Sequence, residues 1–189
     1  GFQYSQRLEN IDITIKGTQI STNVFGYTDN VKSLKVRVDN ELQTISSYAF
    51  YKCGQNRENP ESNIFELDFR NSVINTIEAY AFSTLPTDKM YYYTFYLPST
   101  VTTIFNYSFG RSDHYTVHFK STTPPTILNT TFSATTNLKL FVPYDNINAY
   151  KTATNWVTQA DYIYGWAEEN TFEQGVTLPT TNAEGLSLT

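Results

Sequence analysis

One spacing constrains this chain more than any other: an isoleucine followed five positions later by a phenylalanine. It occurs as Ile20 and Phe25, Ile45 and Phe50, Ile77 and Phe82, Ile104 and Phe109, and Ile127 and Phe132. The residue just before each Phe is small or β-branched (Val24, Ala49, Ala81, Ser108, Thr131), as expected where neighbouring turns stack closely. Upstream of each Ile lies an alternating apolar run: Ile11, Ile13 and Ile15; Leu34, Val36 and Val38; Phe65, Leu67 and Phe69; Phe95 and Leu97; Val117 and Phe119. Period-two alternation of this kind describes a short strand with one buried face. A further strand, Leu138, Leu140 and Val142, follows the last Ile-to-Phe segment.

Self-similarity at this period marks a solenoid. Each coil offers one apolar strand edge and one Ile/Phe pair, too little to be stable alone, and stacking joins these into a continuous core. Strands of successive coils are then parallel, about 4.8 Å apart, and form one sheet along one side. The longest interval, Ile45 to Ile77, carries the polar stretch Gly54 to Asn63, which reads as a surface loop. In the first coil Gly17-Thr-Gln replaces the longer connection, so it is either an atypical capping coil or the truncated end of a longer array.

Composition agrees with a mostly-β protein: charged and aromatic residues are each 16% of the chain, with 15 Tyr and 13 Phe. The formal net charge of −5, with no cluster of Lys and Arg, gives no electrostatic footprint for a polyanion, so nucleic acid is not an expected partner. No apolar run approaches the roughly 18 residues of a membrane span, so no membrane insertion is expected of this segment. The single cysteine, Cys53, excludes an internal disulfide and a multi-Cys metal site; lying three residues after Phe50, it reads as a buried, inert thiol.

At the C-terminal end, Ile147, Tyr150, Ala153 and Val157 recur at three- and four-residue intervals and predict a cap helix over about residues 145–158 with one apolar face. Asp145 is its candidate N-cap, and Trp156 is placed to pack over the last coil. Residues 166–189 lack the Ile-to-Phe repeat and read as a linker or the first strand of a following domain.

The run Phe95-Tyr-Leu-Pro-Ser-Thr-Val-Thr-Thr-Ile104 resembles the BspA-like leucine-rich repeats, whose coils read as a short strand, a Pro or polar turn, then Ile-x-x-x-Ala-Phe. The exit Thr122-Thr-Pro-Pro-Thr-Ile127, Leu138-Lys-Leu-Phe-Val-Pro143, Tyr150-Lys-Thr-Ala153 and Trp156 is similar to that family's terminal coil and cap. The resemblance covers roughly residues 8–165 and, with the repeat pattern, gives a solenoid domain over residues 1–165. It implies a right-handed leucine-rich-repeat-type solenoid with one parallel sheet, short helical or irregular turns and a C-terminal helical cap. It also implies a bacterial protein, secreted or displayed at the cell surface, with adhesion to host or matrix proteins in some members and no known activity in most; it does not imply an enzyme, and none is expected.

Candidate chemistry is sparse. His114 and His118 are four apart, which would suit a metal on a helix, but His118 falls in a strand between Val117 and Phe119. Four residues of strand span roughly 13 Å, too far for one zinc, so both read as surface histidines and no metal is expected. Ser112-Asp113-His114 holds triad residue types, yet adjacency is not triad geometry, and it reads as a polar loop. No Gly-rich phosphate loop or Asp-rich calcium loop occurs, so no cofactor is expected.

Outward strand positions form a ladder across the exposed sheet: Asp12 and Thr14, Lys35 and Arg37, Glu66 and Asp68, Thr94 and Tyr96, His118, then Lys139 and Phe141. Lys35 and Arg37 beside Glu66 and Asp68 are either mutually neutralising cross-strand pairs or a charged recognition patch. In Met90-Tyr-Tyr-Tyr-Thr-Phe-Tyr96, alternation sets Tyr91, Tyr93 and Phe95 on one face and Tyr92 and Tyr96 on the other. Tyr92, Tyr96, His118 and Phe141 are therefore expected to form an exposed aromatic surface, which either binds a protein or glycan or stacks across rungs without a ligand. Two functions stand: a non-enzymatic extracellular module contacting a host, matrix or partner protein or a glycan through the sheet, and a ligand-free spacer presenting another domain.

Overall fold

A computed structural model describes residues 1–54, 65–84, 92–111 and 114–166. Each coil runs from a longer strand through a turn into a two-residue strand. In chain order these are β1 (Asn10–Ile15) and β2 (Gln19–Ile20), β3 (Ser33–Val38) and β4 (Thr44–Ile45), β5 (Phe65–Asp68) and β6 (Thr76–Ile77), β7 (Tyr92–Leu97) and β8 (Thr103–Ile104), β9 (His114–Phe119) and β10 (Thr126–Ile127). β11 (Asn137–Pro143) leads into the cap, which holds a helix, α1 (Ile147–Thr152), and a last strand, β12 (Ile163–Trp166).

All pairings are parallel. The long strands make a seven-stranded sheet in the order β1-β3-β5-β7-β9-β11-β12, and the short ones a five-stranded sheet, β2-β4-β6-β8-β10. The short sheet adds to the single sheet expected from sequence; a Thr-Ile pair is too brief to show alternation. Its isoleucines, Ile20, Ile45, Ile77, Ile104 and Ile127, point inward and are buried opposite the inward residues of the long strands.

The Ile-to-Phe spacing becomes a column of stacked rings. Phe2, Phe25, Phe50, Phe82, Phe109, Phe132 and Trp156 follow one another with centroids 5.4, 4.8, 5.3, 5.1, 5.6 and 6.0 Å apart. Ring pairs at such separations add about 0.5–1.5 kcal/mol each beyond the area they bury. To turn Phe25, Phe50, Phe82 and Phe109 inward, the residue two before each takes a left-handed backbone: Asn23, Tyr48, Tyr80 and Tyr107 have φ of 58°, 61°, 60° and 55°. That conformation is costly for a tyrosine. The stacking of Tyr80 on Tyr48 and Tyr107, at 5.1 and 5.0 Å, and inter-coil hydrogen bonds such as Phe50 N–H to Ala81 O (2.8 Å) offset it.

Cys53 is buried, its sulfur 3.1 Å from the Thr28 hydroxyl oxygen, whose proton goes to Phe25 O at 2.7 Å. On the open side of the first coil, Phe2 N–H donates to Val24 O (2.7 Å) and Tyr4 N–H to Gly26 O (3.2 Å), so the residues before β1 already follow the return path of a coil. The expected loop Gly54–Asn63, apart from Gly54, and the segment 166–189, apart from Trp166, lie outside the described residues, as does Tyr91.

The cap differs from the single helix expected over 145–158. α1 spans Ile147–Thr152 only, preceded by a 3-10 turn at Tyr144–Asn146 and followed, after a break, by a second at Val157–Tyr162. The break is at Ala153, with ψ of 154°, and Asn155, with φ of 64°. Asp145 makes no capping hydrogen bond; it lies in the 3-10 turn, and Asn146 occupies the N-cap position of α1. Tyr150 and Trp156 are fully buried, as their place in the apolar pattern suggests, whereas Val157 is 60% exposed because the chain has turned away by that point.

Candidate functional site on the outer face of the long sheet

Register places one residue from every long strand in a single row across the outer face: Thr14, Arg37, Asp68, Tyr96, His118, Phe141 and Tyr164. From β7 to β12 the row is aromatic. Tyr96 stacks on His118 at 4.8 Å, His118 on Phe141 at 4.8 Å and 9° between planes, and Phe141 meets Tyr164 at 5.6 Å. Arg70 extends it at the other end, its guanidinium lying 4.6 Å from the Tyr96 ring centre. Asp68 holds that guanidinium in a fork, accepting from Nε at 2.9 Å and from Nη2 at 2.6 Å. The geometry is fixed from both directions, by strand register and by the bidentate ion pair.

A parallel row, two strand periods away, joins Tyr92 to His114 with ring centres 4.3 Å apart. His114 therefore opens β9 rather than lying in the polar loop expected for Ser112-Asp113-His114; residues 112 and 113 are outside the described set. Both histidines are half-buried rather than free on the surface, His118 between Tyr96 and Phe141 and His114 against Tyr92.

Electrostatics along the main row follow from this packing. Burial disfavours the charged form of His118 and the Arg70 charge adds to it, so its pKa is lowered. For Asp68, burial acts upward, but the side-chain and backbone hydrogen bonds from Arg70 and its charge together outweigh it and hold the carboxyl below the ordinary range. Burial raises the Tyr96 phenol, with the Glu66 charge adding to it.

Lys35, Arg37, Glu66 and Asp68 all lie on the outer face, opposite one another as Lys35 to Glu66 and Arg37 to Asp68. The expected cross-strand pairing of Arg37 with Asp68 is not what forms. Arg37 is ion-paired with Asp12 of β1, and Asp68 with Arg70, two residues along its own chain. A nearby forked donor wins over a facing one because it reaches both carboxylate oxygens at once. No ion pair joins Lys35 and Glu66.

Tyr92, Tyr96, His118 and Phe141 thus come together as two stacked rows on one face. Tyr164 completes the longer row and was not identified from sequence: a four-residue strand, Ile163-Tyr-Gly-Trp166, shows too little alternation to read. Arg70, just past the end of β5, was likewise missed. Stacked rings present edges rather than faces to a ligand, and Tyr92 and Tyr164, 37% and 45% exposed, are the most open of the set.

Elsewhere a recess of about 420 Å³ lies between successive turns, lined by Ser99, Thr102, Lys120, Thr122 and the two prolines Pro124 and Pro125 among others, with no carboxylate. Among the described residues no group of His, Cys, Asp and Glu is arranged to hold a metal ion, and no helix is long and apolar enough to cross a membrane.

A search of curated proteins gives no match to this chain. A family model does match: the BspA type leucine rich repeat region, in six copies over residues 1–139. Those copies span the stacked coils from the Phe2 turn into β11. The chain belongs to the BspA-type leucine-rich repeat family.

Proposed function

We propose that this protein is a non-enzymatic adhesion module acting outside the cell, which contacts a host, matrix or partner protein through the outer face of its long sheet. Members of the family are generally interaction modules, typically without enzymatic activity, and usually belong to surface or secreted bacterial proteins. The observation that carries the reading is the row Arg70-Tyr96-His118-Phe141-Tyr164, five adjacent planar groups held on a rigid parallel sheet. Aromatic and arginine side chains fixed in place lose little entropy on binding, which is why they dominate protein contacts. A glycan is the less favoured ligand, because a sugar stacks on a ring face and the inner faces of this row are already covered by neighbours.

The test is binding of the protein to arrays of matrix proteins and glycans, beside Tyr164→Ala and Tyr92→Ala variants with unchanged melting temperatures. Binding to a protein that both variants weaken supports the module. Absence of binding by all three, with each folded, favours a ligand-free spacer that presents another domain. Retention on glycans alone would transfer the site to a carbohydrate ligand.

A further inference from the structure

Between the two aromatic rows lies a third row whose composition is different. Register aligns Glu66 of β5, Thr94 of β7, Thr116 of β9 and Lys139 of β11. Tyr92 and His114 stand on one side of the two threonines, and Tyr96 and His118 on the other. Because side chains on one face recur every second residue, the flanking rows are separated by roughly 13 Å along the strands, and short threonines form the floor between tall rings. The result is a trough running across the strands, acidic at one end and basic at the other.

Three features of the floor leave its polar groups open to a ligand, although the Glu66 charge reaches Arg70. Buried threonines of this fold use their hydroxyls on backbone carbonyls, as Thr28 does on Phe25 O (2.7 Å) and Thr131 on Phe105 O (3.1 Å). The Thr94 and Thr116 hydroxyls have no such bond among the described residues. Among the described residues Glu66 and Lys139 form no ion pair, in contrast to Asp12, Asp68, Arg37 and Arg70 around them. Lys35 stands beyond Glu66 in the same row, again without an ion pair to it.

Resting on the reading of this face as the contact surface, we propose that the trough takes an extended peptide segment of the partner protein carrying a basic and an acidic residue four positions apart. Glu66 and Lys139 are three strand spacings apart, roughly 14 Å, and four residues of extended chain cover about 13 Å. The basic residue meets Glu66 and the acidic residue meets Lys139. Peptide N–H and C=O groups between them find the Thr94 and Thr116 hydroxyls, each of which both donates and accepts. A neutral sugar chain would leave both charges unanswered, and a polyanion would be opposed at Glu66. Charge order along the trough sets orientation and selects among partners more than it adds affinity.

The experiment titrates the full chain with blocked heptapeptides and follows backbone amide shifts by NMR. The probes are Gly-Lys-Ser-Thr-Ser-Asp-Gly, the same peptide with its two charges exchanged, Gly-Lys-Asp-Ser-Thr-Ser-Gly with the charges adjacent, and a neutral hexasaccharide. Shifts centred on Thr94 and Thr116 with the two spaced peptides, and binding roughly tenfold weaker for the adjacent-charge peptide, are expected. Lys139→Glu, at an exposed position, is expected to lose the spaced peptides and to gain Gly-Lys-Ser-Thr-Ser-Lys-Gly. No shift at either threonine up to millimolar peptide, indifference to charge spacing, or indifference to Lys139→Glu overturns the proposal, as does a preference for the sugar. If a protein found on the arrays is lost by Tyr164→Ala but not by Lys139→Glu, the trough is wrong while the sheet face stands as the contact surface.

Discussion

The side-chain amide of Asn155 donates to the carbonyl oxygen of Ile127 at 2.7 Å, where a backbone N–H of the next coil stands at Ile20, Ile45 and Ile77. Those earlier carbonyls accept from the N–H groups of Ser46, Glu78 and Phe105, each at 2.9 Å. The substitution is repeated across the whole end of the solenoid. Trp156 Nε1 donates to Pro125 O at 2.7 Å, the Tyr150 hydroxyl to Ser121 O at 2.9 Å and Trp166 Nε1 to Phe119 O at 2.9 Å. A terminal coil must leave a row of acceptors with no further coil to satisfy them, and the cap answers with side-chain donors.

Removing one of these donors therefore strands a carbonyl. Asn155→Gly keeps the left-handed backbone accessible and deletes the hydrogen bond, at a cost of about 1–2 kcal/mol that includes the added freedom of glycine in the unfolded chain. Asn155→Ala adds the penalty of a β-carbon at φ of 64° and is expected to be less stable than the glycine variant. Urea titration reads both as lower midpoints with the slope unchanged. A glycine variant as stable as the parent would mean water supplies the missing donor.

Trp156 has two separable duties. It ends the column of rings by meeting Phe132 at 6.0 Å and Phe119 at 5.3 Å, and it donates to Pro125. Trp156→Phe keeps most of the packing and is expected to cost about 1–2 kcal/mol through the unsatisfied carbonyl. Trp156→Ala, which opens a cavity at a fully buried site, is expected to cost about 3–5 kcal/mol. Calorimetric melting of the pair separates the two contributions.

The repeat made most of this fold legible. Phe25, Phe50, Phe82, Phe109 and Phe132 were readable because every coil needs a ring at the same depth, and the outward places of Tyr92, Tyr96, His118 and Phe141 followed from alternation alone. What escaped had no repeat to announce it. Tyr164 and Trp166 lie on a strand too short and too glycine-broken to alternate. Asn155 looks like any polar surface residue until the carbonyl it serves is seen. The pairing of Arg37 with Asp12 rather than Asp68 depends on Arg70 claiming both Asp68 oxygens, a competition between side chains that strand register does not decide.

Gly54 marks a close approach that the repeat does not require elsewhere. Its φ is 72°, and a β-carbon there would press into the Phe65 ring and come within 2.9 Å of the Val31 carbonyl oxygen. Gly54→Ala combines left-handed backbone strain with overpacking and is expected to cost about 2–4 kcal/mol. Phe65 opens β5, so the damage should spread to the acidic end of the outer face. Chemical denaturation gives the cost, and amide shifts at Glu66 and Asp68 show its reach. A neutral Gly54→Ala variant would require Phe65 to swing away freely, which its ring contact with Tyr93 at 5.1 Å opposes.

His118 gives the outer face a pH dependence whose sign follows from its surroundings. Its ring is held between Tyr96 and Phe141 at 4.8 Å on each side, with Arg70 beyond Tyr96, and burial followed by the Arg70 charge lowers its pKa. The unfolded chain, with an ordinary histidine value of about 6.5, then takes up a proton more readily than the folded one. The contribution is fully present above the unfolded value and is lost as pH falls through the lowered folded value. Asp68 stays ionised throughout that window, since its own pKa is held below the ordinary carboxylate range. His118→Phe keeps a planar ring in the row and removes the titration. Its melting temperature is expected to fall less than that of the parent between roughly pH 7.5 and pH 5. Equal losses in the two proteins would show that His118 takes up its proton as easily folded as unfolded, and that the stacked row is open enough to hydrate the imidazolium.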